Sequence, residues 1–481
     1  MKVITIAGVA VLFWIAGETP AVQIDVQKTL TALEQDEDTD RDKRITVNDR
    51  GDKRFWISTQ AGGFEVSGTY YLSNLLQELS LASEAGSKTA ELRSDRLFEP
   101  PVDRISRSIR ELYWDGLTRR IDEAGLVTIL SDEKTTTLDG LRHVYVPRDD
   151  KAAFEYLAGV ATAHPDLKAK VEYLPQKTTA DYVRKLDGYH GLLSLGMYRN
   201  EKNELQAIPF VVPGGRFNEM YGWDSYFIVL GLLQDNRLEL AKAMVDNFVY
   251  EIDHYGKILN ANRTYYLTRS QPPFLTSMIN AVYERLPKNA ESKDWLSKAL
   301  GAAIREYYGV WMNPSRLTST GLSRYFDSGY GQPPEVEEGH FSSVYSRFVK
   351  QLGGDAKSLE EDYKQGKWKN PELDAYFVHD RCMRESGHDT SYRLEDRCAD
   401  LVTVDLNSLI YKIETDVAET IEKEFNGQIK TADGKMQRSS DWLAAAKKRK
   451  ELVNRYLWNE KRGMFFDYDV ARGRMTDYVS A

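Results

Sequence analysis

Residues 213–227, PGGRFNEMYGWDSYF, decide most about the expected fold because they join a polar loop to the start of a helix. Gly214 and Gly215 predict a tight turn after Pro213. An apolar run from Tyr226 to Leu233 follows directly. A loop so rich in polar and aromatic side chains, placed at the mouth of a helix, predicts a site for a ligand with many hydroxyl groups.

Helical spacing of apolar residues recurs along most of the chain, whereas alternating segments are few, with 144–146 and 171–173 the best strand candidates. Gly and Pro cluster at 213–215, 272–273 and 329–334, so the polar motifs fall in loops. These patterns predict an all-α protein built as a bundle or a closed ring of helix pairs. Helical runs include the sets Tyr70, Leu72, Leu75, Leu76, Leu79; Phe227, Leu230, Leu233; Leu240, Met244, Phe248; and Leu406, Leu409, Ile410, Ile413, Val417, Ile421.

Composition excludes several classes of protein. The 481 residues are 42% apolar, which is enough for a sizeable core. The chain has 64 basic and 73 acidic residues, and its net charge of -9 argues against nucleic acid as a partner. There is no P-loop and no strand-linked GxGxxG motif, which argues against nucleotide binding. Cys382 and Cys398 are too few for a disulfide framework and favour a reducing compartment.

The first residues, 1–21, form a separate apolar segment. The run from Val3 to Ala16 is short for a membrane span but suits the core of a signal peptide. Either the segment is a true signal peptide and the protein is secreted, or it is an atypical start. We expect no membrane segment in the mature body.

An acidic loop within segment 22–68 has the spacing of a calcium-binding loop. Its residues occupy positions 1, 3, 5, 7 and 12 of that pattern, and alternate carboxylates on a coiled loop can converge on one Ca²⁺ ion. Lys43 departs from the glycine expected at position 6, and an acidic, solvated linker is the alternative. The predicted calcium ligands are Asp38, Asp40, Asp42, Arg44 through its backbone carbonyl, and Asp49.

Three ordered motifs carry a resemblance to a known family. Residues 213–227 resemble the first signature of the trehalases, and 260–274, NANRTYYLTRSQPPF, is similar to a second segment of that family. Residues 384–393, RESGHDTSYR, resemble the catalytic-acid segment of the fungal neutral trehalases. The calcium loop matches the same fungal branch, and the likeness extends from Asp25 to Asp469.

The resemblance implies an inverting glycoside hydrolase that cleaves trehalose to two glucose molecules. It implies an all-α, (α/α)6 toroid-type barrel, with 69–481 as the helical catalytic domain and Asp389 as the general acid. The arginines would donate to sugar hydroxyls, the carboxylates and Asn260 would accept, and the aromatic rings would face the sugar. The implied substrate-binding residues are Arg216, Phe217, Trp223, Asp224, Asn260, Arg269, Glu335, Arg384 and Gly387.

This sequence departs from the family at its end. The Gln-Trp-Asp segment and the general-base glutamate of the trehalases have no counterpart before Ala481. We therefore expect a domain incomplete at its C-terminus, with little or no hydrolysis by this chain alone. For the full-length family the resemblance also implies a cytoplasmic location and regulation by an adaptor that binds phosphopeptides.

Two other functions are compatible with the same residues. One is a non-catalytic calcium- and sugar-binding regulator derived from a trehalase, which needs no general base. The other is a helical-toroid hydrolase or phosphorylase that acts on a different glucoside.

Overall fold

The computed structural model describes residues 21–59, 62–132, 137–389 and 396–479. These residues divide into two compact units, the first ending at Tyr113 and the second beginning at Trp114. The expected boundary between residues 68 and 69 falls inside the first unit, and the segment division made from the sequence stays a prediction. All but the last residue of the apolar segment 1–21 lies outside the described residues.

The first unit combines helices with two antiparallel strand pairs. Its helices are α1 (Val26–Glu37), α2 (Thr69–Glu84), α3 (Ser94–Leu97) and α4 (Pro101–Ser108), the last continuing as a π-helix over Ile109–Tyr113. Its strands are β1 (Ala21–Asp25), β2 (Arg54–Thr59), β3 (Gly62–Ser67) and β4 (Thr89–Arg93), paired β1 with β4 and β2 with β3. Leu33 of α1 and Leu72 of α2 are fully buried in its core, because each helix has one apolar face.

The second unit is mostly helical. Its helices are α5 (Trp114–Gly116), α6 (Glu123–Leu130), α7 (Lys151–Ala163), α8 (Ala180–Lys185), α9 (Asp224–Gln234), α10 (Leu238–Tyr255), α11 (Leu275–Arg285), α12 (Ala290–Glu306), α13 (Ser342–Leu352), α14 (Ala356–Lys364), α15 (Pro371–Glu385), α16 (Val404–Phe425) and α17 (Ser439–Leu457). A π-helix over Tyr307–Trp311 extends α12. Short 3-10 helices cover Pro165–Leu167, Thr264–Tyr266 and Cys398–Asp400.

The strands of this unit are short. They are β5 (Thr118–Arg119), β6 (Arg142–Val146), β7 (Ala169–Tyr173), β8 (Leu192–Leu193), β9 (Met197–Arg199), β10 (Leu205–Ala207), β11 (Phe210–Val211), β12 (Leu401–Val402), β13 (Gln428–Lys430), β14 (Met436–Arg438), β15 (Trp458–Asn459), β16 (Met464–Phe465), β17 (Tyr468–Asp469) and β18 (Arg474–Met475). The two strand candidates from the sequence are β6 and β7, which pair in parallel with Val144 opposite Val171.

Consecutive helices pack together in the described part of the second unit, including the pairs α9 with α10, α11 with α12, α13 with α14, and α16 with α17. Helix α11 packs against both α9 and α16, so these three helices form one layer, here called the first layer, and α10 packs against α12. The apolar positions recognised in α16 are buried except for Leu409, which is partly exposed, as expected for a helix with one apolar face. The helices therefore pair as the sequence patterns predicted.

The N-terminal ends of the three first-layer helices lie together. The N–H of Trp223, just before α9, donates to Oε1 of Gln271, just before α11, over 2.9 Å. His388 lies between Trp223 and Asp405, which is in the first turn of α16. Helix N-termini present unpaired N–H groups and partial positive charge, so this end of the layer favours polar and anionic groups.

Two further expectations concern membranes and cysteines. Within the described ranges, no helix is both long and apolar enough to cross a bilayer. Cys382 and Cys398 are free thiols buried in the core between α12, α15, α16 and α17. Both pack as small core residues.

Candidate sugar-binding active site

Arg269 and Glu335 form a buried ion pair. Arg269 lies in the loop between α10 and α11, and Nη2 of its guanidinium donates to Oε1 of Glu335 in the loop after α12. Its Nη1 lies 3.7 Å from Oδ2 of Asp327, and its guanidinium lies 4.8 Å from the ring centre of Tyr266. Arg269 Nε and Glu335 Oε2 have no hydrogen-bond partner among the described residues. Buried polar groups are usually paired, so these atoms are available to a polar ligand.

Arg384, in the last turn of α15, is held from two sides. Its Nε donates to Oδ2 of Asp380 over 2.8 Å, one helical turn earlier. Its Nη2 lies 3.1 Å from Nε2 of His340. A guanidinium can only donate, so this ring nitrogen of His340 accepts and carries no proton. The sequence reading missed Asp380, although its i to i+4 spacing from Arg384 is a signal for such a pair; no local signal pointed to His340.

Glu385, at the end of α15, joins two loops between helices. Its carboxylate is fully buried and accepts the N–H of Ser270 over 2.9 Å and the N–H of Phe326 over 2.7 Å. It also pairs with Arg316. Ser270 follows Arg269 and Phe326 precedes Asp327, so one carboxylate fixes the backbone beside both residues. The sequence reading missed this role, because its partners lie 59 to 115 residues away.

Gly387 brings the backbone against Trp223. Its φ of +73° is in the left-handed region, and a Cβ at this position would lie 2.8 Å from the indole of Trp223. Glycine suits both constraints, because it has no Cβ and adopts positive φ without strain. The Trp223 ring also lies edge-on to His388, with 6.2 Å between ring centres. The indole of Trp223 thus contacts the two residues that precede Asp389.

Asp389 is accessible to solvent, yet surrounding protein atoms crowd its carboxyl group. This desolvation raises the pKa of Asp389 above its usual range. Arg269 and Arg384 oppose the rise, while Glu335 and Asp380 add to it. Asp389 is therefore poised to keep its proton at a higher pH than an ordinary aspartate.

Glu335 has the opposite tendency. Burial alone would raise the pKa of Glu335, but Arg269, Arg384 and Arg381 together lower it. The two carboxyl groups thus differ in their protonation preference, although they share the same arginines. Such a difference is typical of sites in which one carboxyl group donates a proton and another stays charged.

The remaining predicted residues surround this group. Asn260 donates its side-chain amide to the carbonyl of Arg384 over 3.2 Å. Asp224 is the first residue of α9, and burial raises its pKa. Arg216 is largely exposed, lies 4.0 Å from Glu337, and has its guanidinium 5.5 Å from the ring centre of Phe217.

The structure therefore brings most of the predicted residues together. Arg269, Glu335, Arg384 and Asp389 form one electrostatic cluster, and Trp223 joins it through the contact with Gly387. Asn260 is linked to the same cluster through the Arg384 carbonyl, and Asp224 through its neighbour Trp223. Arg216 and Phe217 lie in the partly exposed loop that precedes Trp223, where Arg216 reaches Glu337 and the Phe217 ring contacts that of Tyr221. Their individual roles stay predictions.

The predicted calcium loop lies in the first unit. One carboxylate oxygen from each of Asp38, Asp40 and Asp42 lies within 4.8 Å of the others. Lys43 has a φ of +63°, the left-handed conformation for which a calcium loop has glycine at this position. The Asp49 carboxylate accepts the N–H groups of Thr39 over 3.0 Å and Thr46 over 2.7 Å. Three converging carboxylates could hold a metal ion.

Comparison with known proteins identifies the family. The trehalase family model matches residues 89–481. The cytosolic neutral trehalase of Emericella nidulans is 47% identical over 477 residues, and that of Neurospora crassa 46% over 478 residues; each match covers 95% of this chain and 64% of the relative. The solved structure of neutral trehalase Nth1 from Saccharomyces cerevisiae superposes with a TM-score of 0.75 at 44% identity, over 79% of this chain and 71% of that one.

This structural match confirms the predicted all-α, (α/α)6 toroid-type class. The chain spans 64% of the length of the two curated relatives named here. With most of its length matched by the family model and by these relatives, the chain belongs to the trehalase family.

Proposed function

We propose that this chain binds α,α-trehalose and supplies the proton donor for its hydrolysis to two glucose molecules with inversion. The observation that carries the proposal is the cluster around Asp389, where desolvation raises the pKa of a carboxyl group beside two arginines. The similar proteins are named neutral trehalases, which favours an enzyme over a non-catalytic sugar-binding regulator. Their names also support a cytosolic location.

Asp389 acts as the general acid in this proposal. It donates its proton to the oxygen that bridges the two glucose rings as the bond to that oxygen breaks. An inverting enzyme needs a second carboxylate, roughly 6.5 to 9.5 Å away, to activate water on the opposite face of the sugar. We assign that second role to no residue of the described chain.

The arginines and their partners bind the sugar hydroxyls. Arg269 and Glu335 retain unpaired polar atoms, and Arg384 is fixed by Asp380 and His340. A buried site of this kind rejects a sugar that lacks the matching hydroxyl, because its own donors and acceptors would stay unpaired. Trp223 offers its indole to a face of the sugar ring. Asp224 and Asn260 add polar contacts, and Arg216 and Phe217 complete the site from the exposed loop.

The test uses the full-length protein and follows the products by proton NMR. Inversion at one anomeric carbon releases one β-glucose, while the leaving glucose keeps the α configuration. We expect both anomers in equal amounts before mutarotation. We also expect the Asp389→Asn variant to bind trehalose still, with a kcat that is about 10²- to 10⁴-fold lower. Asp166→Asn, an exposed aspartate, is the control. Undiminished turnover by Asp389→Asn, or release of α-glucose alone, would contradict the proposal.

We further propose that the acidic loop binds Ca²⁺. Hard oxygen ligands suit calcium, and Asp38, Asp40 and Asp42 converge with Lys43 in the conformation that the sharp turn requires. Asp49 and the backbone carbonyl of Arg44 complete the proposed ligands. Adding Ca²⁺ alone to the metal-free protein should raise its melting temperature, and Asp40→Asn should reduce that rise while Asp103→Asn should not. An equal rise in all three proteins would exclude this loop.

The remaining partners stay predictions. The net charge of -9 still argues against nucleic acid, and an adaptor that binds phosphopeptides is implied only by the family resemblance.

A further inference from the structure

His388, the residue before the proposed acid, lies between the starts of two first-layer helices. On one side its ring meets Trp223 edge-on, with 6.2 Å between ring centres and an interplanar angle of 62°. On the other side its Nε2 lies 3.6 Å from Oδ2 of Asp405 in the first turn of α16. The His388 N–H also donates to Oγ of Ser386 over 3.2 Å. The residue is thus fixed at both its ring and its backbone.

Asp405 is itself held in place. The hydroxyl of Tyr325, a fully buried residue, donates to the same Oδ2 atom over 2.8 Å. Burial alone would raise the pKa of Asp405, but the nearby His388 ring and the hydrogen bond from Tyr325 lower it, so the carboxylate stays charged. The charged carboxylate gives His388 an anchor that belongs to the packed core and not to the loop.

Because Gly387 precedes His388, the path of the backbone toward Asp389 depends on the contact between His388 and Asp405. Its positive φ and its close contact with Trp223 fix the chain on the near side of His388. Glycine itself imposes little preference on the chain that follows, since it adopts many backbone conformations. The His388 side chain, bridging Trp223 and Asp405, is the next fixed point before Asp389.

We propose that His388 and Asp405 are positioning residues that orient Asp389 toward the bridging oxygen of the substrate. The inference rests on the proposed role of Asp389 as the acid. Histidine fits this position because it combines a flat ring, which packs against Trp223, with an N–H that reaches a carboxylate. A general acid must lie within hydrogen-bond reach of its acceptor, and misplacement by about 1 Å can lower the rate about 10²-fold.

The experiment tests the aromatic ring and the N–H donor of His388 separately. His388→Phe keeps the ring and removes the N–H, whereas His388→Gln keeps an N–H donor and removes the ring. With trehalose as substrate and the full-length protein, we expect His388→Phe and Asp405→Asn each to lower kcat about tenfold or more with KM little changed. His388→Gln should recover part of kcat. The double variant of His388→Phe and Asp405→Asn should lose no more than either single variant, because the pair acts as a unit.

A control and a second measurement keep the outcomes distinct. His164→Phe removes an exposed histidine whose Nε2 lies 2.6 Å from Glu123, and should leave kcat unchanged. Circular dichroism and melting temperature identify a variant that has failed to fold. If His388→Phe fails to fold, the kcat of His388→Gln is compared with that of the wild type instead.

Two results would overturn the inference: unchanged kcat in His388→Phe and Asp405→Asn, or additive losses in the double variant. If either occurs while Asp389→Asn is inactive, the positioning role fails and the proposed function stands. If Asp389→Asn is fully active, the proposed function itself fails.

Discussion

Replacing Gly387 by alanine tests the contact that places the proposed acid. The new Cβ would lie 2.8 Å from the Trp223 indole, whereas ordinary contacts begin at 3.4 Å, so one group must move by about 0.6 Å. Neither group moves freely, since Trp223 contacts Phe227 and His388, and Gly387 lies directly after Ser386, the C-cap of α15. A 1 Å misplacement can lower the rate about 10²-fold, so we expect kcat for trehalose to fall at least about tenfold.

Stability should fall as well. Alanine at positive φ costs about 1–2 kcal/mol, and overpacking against a rigid ring adds about 1–3 kcal/mol. Gly366→Ala is the matched control, because Gly366 has a φ of +71° but no atom within 4 Å of the added Cβ. Urea unfolding and steady-state kinetics on the full-length protein compare the two variants. If Gly387→Ala and Gly366→Ala had the same stability and the same kcat, the contact with Trp223 would have no effect beyond that of the backbone conformation, and the prediction would be refuted.

Two further predictions concern charge. Asp380→Asn removes a negative charge that raises the pKa of Asp389. The decrease of kcat/KM at alkaline pH should therefore move to lower pH, and an unchanged pH profile would show that Asp389 does not cause that decrease. Glu306→Gln tests a buried carboxyl group whose folded pKa is raised from 4.5 to about 7, chiefly by burial. The folded state holds this proton more tightly, so its stabilising contribution is present below pH 4.5 and is lost as pH rises to about 7. The full shift corresponds to about 3 kcal/mol, of which about 2 kcal/mol falls between pH 5 and pH 7.5. The free energy of unfolding of Glu306→Gln relative to wild type should therefore rise by about 2 kcal/mol over this range, and a constant difference would contradict the prediction.

The helices could be predicted from the sequence because their apolar residues follow a 3.6-residue period. The apolar run of α16, from Leu406 to Ile421, is buried at the expected positions. The strand pair of β1 and β4 was not predicted, since AVQID and TAELR are short and lie 64 residues apart at their nearest ends. Such pairing depends on tertiary contacts that local spacing does not reveal. The basic run 447–450 shows the same limit: consecutive basic residues usually lie on a solvated helix face, yet Arg449 is buried and pairs with Glu414.

The candidate site was predictable only as a list of residues. Motifs identified Arg269, Arg384 and Asp389 because arginines and carboxylates are suited to binding sugars and moving protons. The residues that position them were not predictable in the same way, since Glu385 connects loops through backbone N–H groups that any sequence possesses. A hydrogen bond to a backbone group leaves no signature in the partner's side chain.

The most direct measurement compares two leaving groups in the Asp389→Asn variant of the full-length protein. Glucose leaving from trehalose needs a proton, whereas fluoride leaving from α-glucosyl fluoride departs as an anion and needs little help from an acid. The account predicts that the variant loses trehalose hydrolysis but keeps most of its turnover of the fluoride. Equal losses on both substrates, or normal hydrolysis of trehalose, would show that the Asp389 carboxyl group is not the proton donor.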